Sequence, residues 1–106
     1  MIDTLKSILK TGERNALPSV FLANCLGVSP RELRHIVEDA RREGVPVCAS
    51  CKQHGGLYLA ETPEELQKYI DSLGGRARSL YITRQMLIKT LKAITEAEEE
   101  EENAET

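Results

Sequence analysis

SVFLANCLGVSPRELRHIVE, residues 19–38, is the stretch that decides the fold. It reads as two short helices broken by a tight turn. Ala23 supplies the small residue needed where two helices nearly touch. Gly27 suits the turn, because it takes positive φ without a Cβ penalty. Leu33 and Ile36 on the second helix face back toward the first, and Leu22, Leu26 and Val28 complete the apolar side. The second helix opens on a capping box: Ser29 at the N-cap, Pro30 at N1 and Glu32 at N3. It runs to about Glu43, with Gly44 as its C′ residue.

Along that second helix Leu33, Ile36, Val37 and Ala40 repeat at the i, i+3, i+4, i+7 spacing of a buried stripe. At 100° per residue, Arg31, His35, Glu38 and Arg42 project from the opposite side, and Arg34 and Arg41 flank one edge. This resembles the helix-turn-helix pattern of DNA-binding domains, whose second helix presents exposed residues to a major groove.

The flanks extend the pattern. Ile2, Leu5, Ile8 and Leu9 predict a first helix over Ile2 to Lys10, ended by Gly12. Asn15 to Leu17 reads as a short extended piece, and Pro18 as the first residue of the helix that ends at Leu26. After Gly44 the pattern turns extended. Val45 to Ala49 and Leu57 to Ala60 read as two strands, joined by the polar loop Ser50 to Gly56. Lys52, Gln53 and His54 fall at the tip of this hairpin.

Residues 2–60 resemble a winged helix-turn-helix domain of the small bacterial and phage type, similar to the amino-terminal DNA-binding domain of biotin-ligase repressors. The segments LANCLGVSPRELRHIVEDARREGVPV and GGLYLAETPEEL carry the likeness. It implies that Ser29, Arg31, Arg34 and His35 face a major groove and that the wing touches the phosphate backbone. On this reading Arg41, Arg42, Lys52, Gln53 and His54 hold the backbone, and the partner is double-stranded DNA. The implied role is transcriptional regulation, or control of phage or plasmid genes.

Thr62, Pro63 and Glu65 form a second capping box. The helix after it carries Leu66, Tyr69, Ile70 and Leu73 at core spacing, and Gly74-Gly75 reads as its stop. Arg76 to about Glu99 then reads as one long helix with a stripe of Leu80, Leu87, Leu91 and Ile94, interrupted by Arg84 and flanked by Tyr81 and Ile88. Such a stripe either folds back over the domain or pairs with a second chain, making a homodimer through residues 76–98. The expected class is mainly α (α+β). A winged helix-turn-helix domain spans 1–75, a long helix 76–98, and a disordered acidic tail 99–106.

Composition sets the outer limits. The chain has 106 residues, 41% of them hydrophobic, and a net charge of −3. Seven of its seventeen acidic groups lie in residues 96–106, leaving fourteen bases against ten acids in residues 1–95. No stretch is apolar enough to span a membrane, no leader is visible, and three cysteines do not make a disulfide framework. A cytoplasmic protein is expected. Cys48, Cys51 and His54, with Cys25 or His35 to complete four ligands, could hold zinc. A single Cys-x-x-Cys pair is less than a ribbon-type site needs, and Cys48 also fits a small buried strand residue. No phosphate loop, nucleophile elbow or H-E-x-x-H motif is present, so no enzyme and no cofactor is expected. The competing reading is a non-catalytic protein-interaction module that uses the winged helix and the long helix.

Overall fold

A computed structural model describes residues 1–52 and 55–105, the last of these by its backbone alone. Gln53 and His54, expected at the wing tip, lie outside the described residues. The chain is mainly helical, with a two-stranded antiparallel sheet and a long C-terminal helix. In order these are α1 (Ile2–Ile8), a 3-10 turn (Glu13–Asn15), α2 (Ser19–Leu26), α3 (Pro30–Arg42), β1 (Val47–Ala49), β2 (Leu57–Leu59) and α4 (Pro63–Glu105). Two compact units divide it, Met1–Ile70 and Asp71–Thr106. Among the described residues no helix is long and apolar enough to cross a membrane.

In the first unit, local sequence sets each boundary. Helix α1 ends at Ile8, two residues sooner than its apolar spacing predicts, because Leu9 turns extended (ψ 140°). Pro18 stands just outside α2 as its N-cap, with ψ 142°, and not at N1. Gly27 closes α2 in the left-handed conformation (φ 69°), and the Val28 N–H donates back to the Ala23 carbonyl at 3.0 Å. Ser29 Oγ accepts from the Glu32 N–H at 3.1 Å, so the predicted cap of α3 forms. Gly44 (φ 92°) closes α3, with Val45 N–H donating to Ala40 O.

The three helices bury Leu5, Leu9, Leu22, Ala23, Leu26, Leu33, Val37 and Ala40 with Val47 and Leu57 of the sheet. Of the expected α3 stripe, Ile36 is only partly buried. Strands β1 and β2 pair with Val47 opposite Leu59 and Ala49 opposite Leu57. The outer edge of β2 is occupied by the connector before α2. Leu17 and Leu57 exchange both backbone hydrogen bonds, at 2.8 and 2.9 Å, and Gly12 N–H donates to Leu59 O. Of the extended piece expected at 15–17, Asn15 instead ends the 3-10 turn, while Leu17 makes a single antiparallel bridge to Leu57 and Thr11 a parallel one to Leu59, which together cover part of that edge.

The predicted break at Gly74-Gly75 does not occur. One helix of 43 residues runs through both glycines and through the acidic residues to Glu105. Glycine in a helix interior costs about 1 kcal/mol relative to alanine, which weakens a helix without ending it. The glycines that do close helices here, Gly27 and Gly44, take positive φ, and neither Gly74 nor Gly75 does. The Thr62 cap forms as expected, with Glu65 N–H donating to its Oγ1, while Glu65 Oε1 reaches back to the Glu61 N–H and not to Thr62. Leu66 and Tyr69 pack in the first unit as their spacing predicts. Ile70, the last residue of that unit, is 49% exposed, and Leu73 in the second unit is 42% exposed.

Candidate nucleic-acid interface

The buried side of α3 fixes what its other side shows. With Leu33, Val37 and Ala40 turned into the core, Ser29, Arg31, Arg34 and His35 are all exposed. They occupy the first two turns of the helix. Arg31 and Arg34 are in no ion pair among the described residues. Ser29 Oγ serves the cap as acceptor, and its hydroxyl hydrogen is left to donate.

The second half of α3 behaves differently. Arg41 turns inward: its Nε–H donates to the Val47 carbonyl and Nη2 to the Tyr69 hydroxyl, each at 2.9 Å. Its guanidinium carbon also lies 5.2 Å from the Tyr69 ring centroid. Arg41 is therefore a clasp joining α3, β1 and the start of α4, not a side chain held out to phosphates. Arg42 is exposed and stands 3.8 Å from Asp39 one turn back.

At the hairpin, Lys52 is exposed, with its Nζ 3.4 Å from Glu13 Oε1. The other Glu13 oxygen accepts from the Ser50 hydroxyl at 3.1 Å. Glu13 thus anchors the base of the hairpin to the connector before α2. Gly55 N–H donates to Lys52 O, and Ser50 N–H to Gly56 O, which closes the loop.

The zinc alternative is poorly served. Cys48 is fully buried, its thiol directed at Pro46 O at 3.8 Å, while Cys51 is exposed in the loop. Burial pushes the Cys48 thiol up, helped by the charge of Glu65, and burial likewise raises the neighbouring Tyr58 phenol. Cys48 instead belongs to a small apolar cluster with Tyr58 and Tyr69. His54 lies outside the described residues.

Sequence reasoning did not find Arg14. Its guanidinium makes two bonds to the Glu61 carboxylate, at 2.7 and 3.1 Å, which hold that carboxyl below the usual carboxylate range. The two residues are 47 apart, and no local pattern links them. The placement of charge also differs from the sequence reading. Residues 1–70 hold nine basic and nine acidic side chains, and the basic excess of the chain lies in residues 76–92, with five bases and no acid. No family model, no curated protein and no solved structure matches this chain.

Proposed function

We propose that residues 1–70 form a winged helix-turn-helix unit that binds double-stranded DNA, as part of a transcriptional or related regulatory role, and that residues 76–98 pair two copies of the chain. The observation that carries the reading is the exposed Ser29, Arg31, Arg34 and His35 on the start of a capped helix whose opposite side is core. The turn at Gly27 and the antiparallel hairpin after α3, with Lys52 in its loop, support it. In this arrangement the α3 N-terminus adds its own partial positive charge to the two arginines. A homodimer would carry two such helices to two half-sites related by the protein's own two-fold axis, a whole number of helical turns apart.

The test is duplex binding by fluorescence anisotropy with the full chain, on random and genomic fragments at two salt concentrations. Arg31→Ala and Arg34→Ala should each weaken the best duplex by about 1–3 kcal/mol. Affinity should fall with salt as released counterions demand. Unchanged affinity in both variants would reject the docking.

A second reading is a protein-interaction module, favoured by the charge balance of residues 1–70. No salt-sensitive duplex binding, with tight capture of one protein that Val20→Asp or Phe21→Asp abolishes, would establish it. Val20 and Phe21 are apolar side chains exposed at the start of α2.

A further inference from the structure

Residues 76–102 of α4 carry two charge blocks on one continuous helix. Residues 76–92 hold Arg76, Arg78, Arg84, Lys89 and Lys92 and no acid, and residues 96–102 hold six glutamates and no base. The exposed Leu80, Leu87, Leu91 and Ile94 fall at the alternating a and d positions of a heptad register that also includes Arg84. Carried forward, the register places Glu98 at a and Glu101 at d. Leu80 is 72% exposed and Leu91 64%, so the seam is open along its length.

We infer that the occupant of this seam is a second copy of α4 running antiparallel, with the basic block of each helix beside the glutamate block of the other. The inference rests on the pairing proposed above and adds its direction. In a parallel pair every core residue meets its own copy. Arg84 would then face Arg84, Glu98 would face Glu98 and Glu101 would face Glu101, with like charges directly opposed in the seam. In an antiparallel pair a positions meet d positions. The Arg84 layer then falls on an apolar or acidic residue, and Leu87 of one copy packs on Leu91 of the other. That stagger sets Arg76 and Arg78 beside Glu102 and Glu100. The chain carries both halves of its own electrostatic complement, which is what selects a second copy over an unrelated helix.

The experiment is sedimentation equilibrium on the full chain and on a full-length variant with Glu98→Gln, Glu99→Gln, Glu100→Gln, Glu101→Gln and Glu102→Gln. Glutamine matches glutamate closely in helix propensity, and circular dichroism checks that helix content holds. Antiparallel pairing predicts a dimer whose dissociation constant rises about tenfold or more in the variant. It also predicts that the unaltered dimer weakens as salt rises. A variant that dimerises equally well or more tightly, or a dimer strengthened by salt, would overturn the antiparallel direction and leave the pairing intact. A full chain that stays monomeric at all concentrations would overturn the pairing itself.

Discussion

Replacing Arg41 by Met separates its two readings, phosphate contact and internal clasp. Methionine keeps most of the apolar stem and removes the guanidinium. Two hydrogen bonds from a charged donor are lost, to Val47 O and to the Tyr69 hydroxyl, each 2.9 Å long. So is the approach to the Tyr69 ring. Both acceptors belong to buried residues. Hydrogen bonds to charged groups contribute about 1.5–3 kcal/mol, and the ring contact about 0.5–1. Taking the lower end for a half-buried donor that keeps some water gives about 2–4 kcal/mol of lost stability. That is a large share of the roughly 5–15 kcal/mol that holds a small domain together.

Cys48 supplies the assay. It sits fully buried in the same cluster as Tyr69, while Cys25 and Cys51 are exposed. In native protein a thiol reagent should modify two cysteines quickly and Cys48 only through opening of the cluster. At tenfold per 1.4 kcal/mol, Arg41→Met should speed that slow phase by roughly 30- to 700-fold. An unchanged slow phase, together with a loss of duplex affinity as large as that of Arg31→Ala, would refute the clasp and restore Arg41 to the proposed DNA-facing set.

Two further outcomes test the connections around the hairpin. Gly56→Ala should lower stability by roughly 2–4 kcal/mol, because φ is 109° and an added Cβ would stand 2.9 Å from Leu17 O. Gly55→Ala, with φ 59° and open space, should cost only about 1 kcal/mol, so equal thermal shifts in the two variants would contradict the close approach. For Glu61, the folded carboxyl titrates below its ordinary value of 4.5 because Arg14 hydrogen-bonds it and adds its charge. The unfolded chain then binds more protons in acid, and the contribution of the pair is present above pH 4.5 and lost as pH falls through the lower folded value. The gap in urea midpoint between the protein and Glu61→Gln should therefore shrink from about pH 7 to about pH 3, and a gap that widens in acid would be inconsistent with the pair.

The parts of the fold legible in the sequence are those that short-range chemistry determines. Ser29, Pro30 and Glu32 specify a helix start within four residues, and Gly27 and Gly44 specify stops, so α2 and α3 can be drawn nearly as they are found. The hairpin is legible because two apolar runs flank a polar loop with paired glycines. The Gly74-Gly75 pair misleads because glycine marks a helix end only where the chain needs positive φ, and that need is set by the direction of the next segment. After Gly27 the chain must reverse into α3, whereas Arg76 and its successors are good helix formers that carry the ladder through. The clasp of Arg41 and the pair of Arg14 with Glu61 are illegible because their partners lie 28 and 47 residues away. No neighbouring residue distinguishes an arginine turned inward from one turned out.

The charge pattern along α3 sharpens the site beyond its sequence outline. A unit with as many acids as bases cannot draw DNA by net charge, so the proposed binding rests on local arrangement. The first turns of α3 carry Arg31, Arg34 and His35 against Glu32, at the positive end of the helix. Its second half carries Glu38 and Asp39, with Glu43 at its C-cap, Arg42 near Asp39 and Arg41 turned inward. A duplex laid along the whole helix would meet acid at one end. A duplex met by the N-terminal turns alone would meet the arginines, the Ser29 hydroxyl and the helix N-terminus together. Recognition helices commonly dock through their N-terminal residues. The proposed interface therefore contracts from the wider set that the sequence pattern suggests, Ser29 to His54, to Ser29, Arg31, Arg34 and His35 with Lys52 as the hairpin contact, and Arg41 leaves it for the half-buried clasp to Val47 and Tyr69.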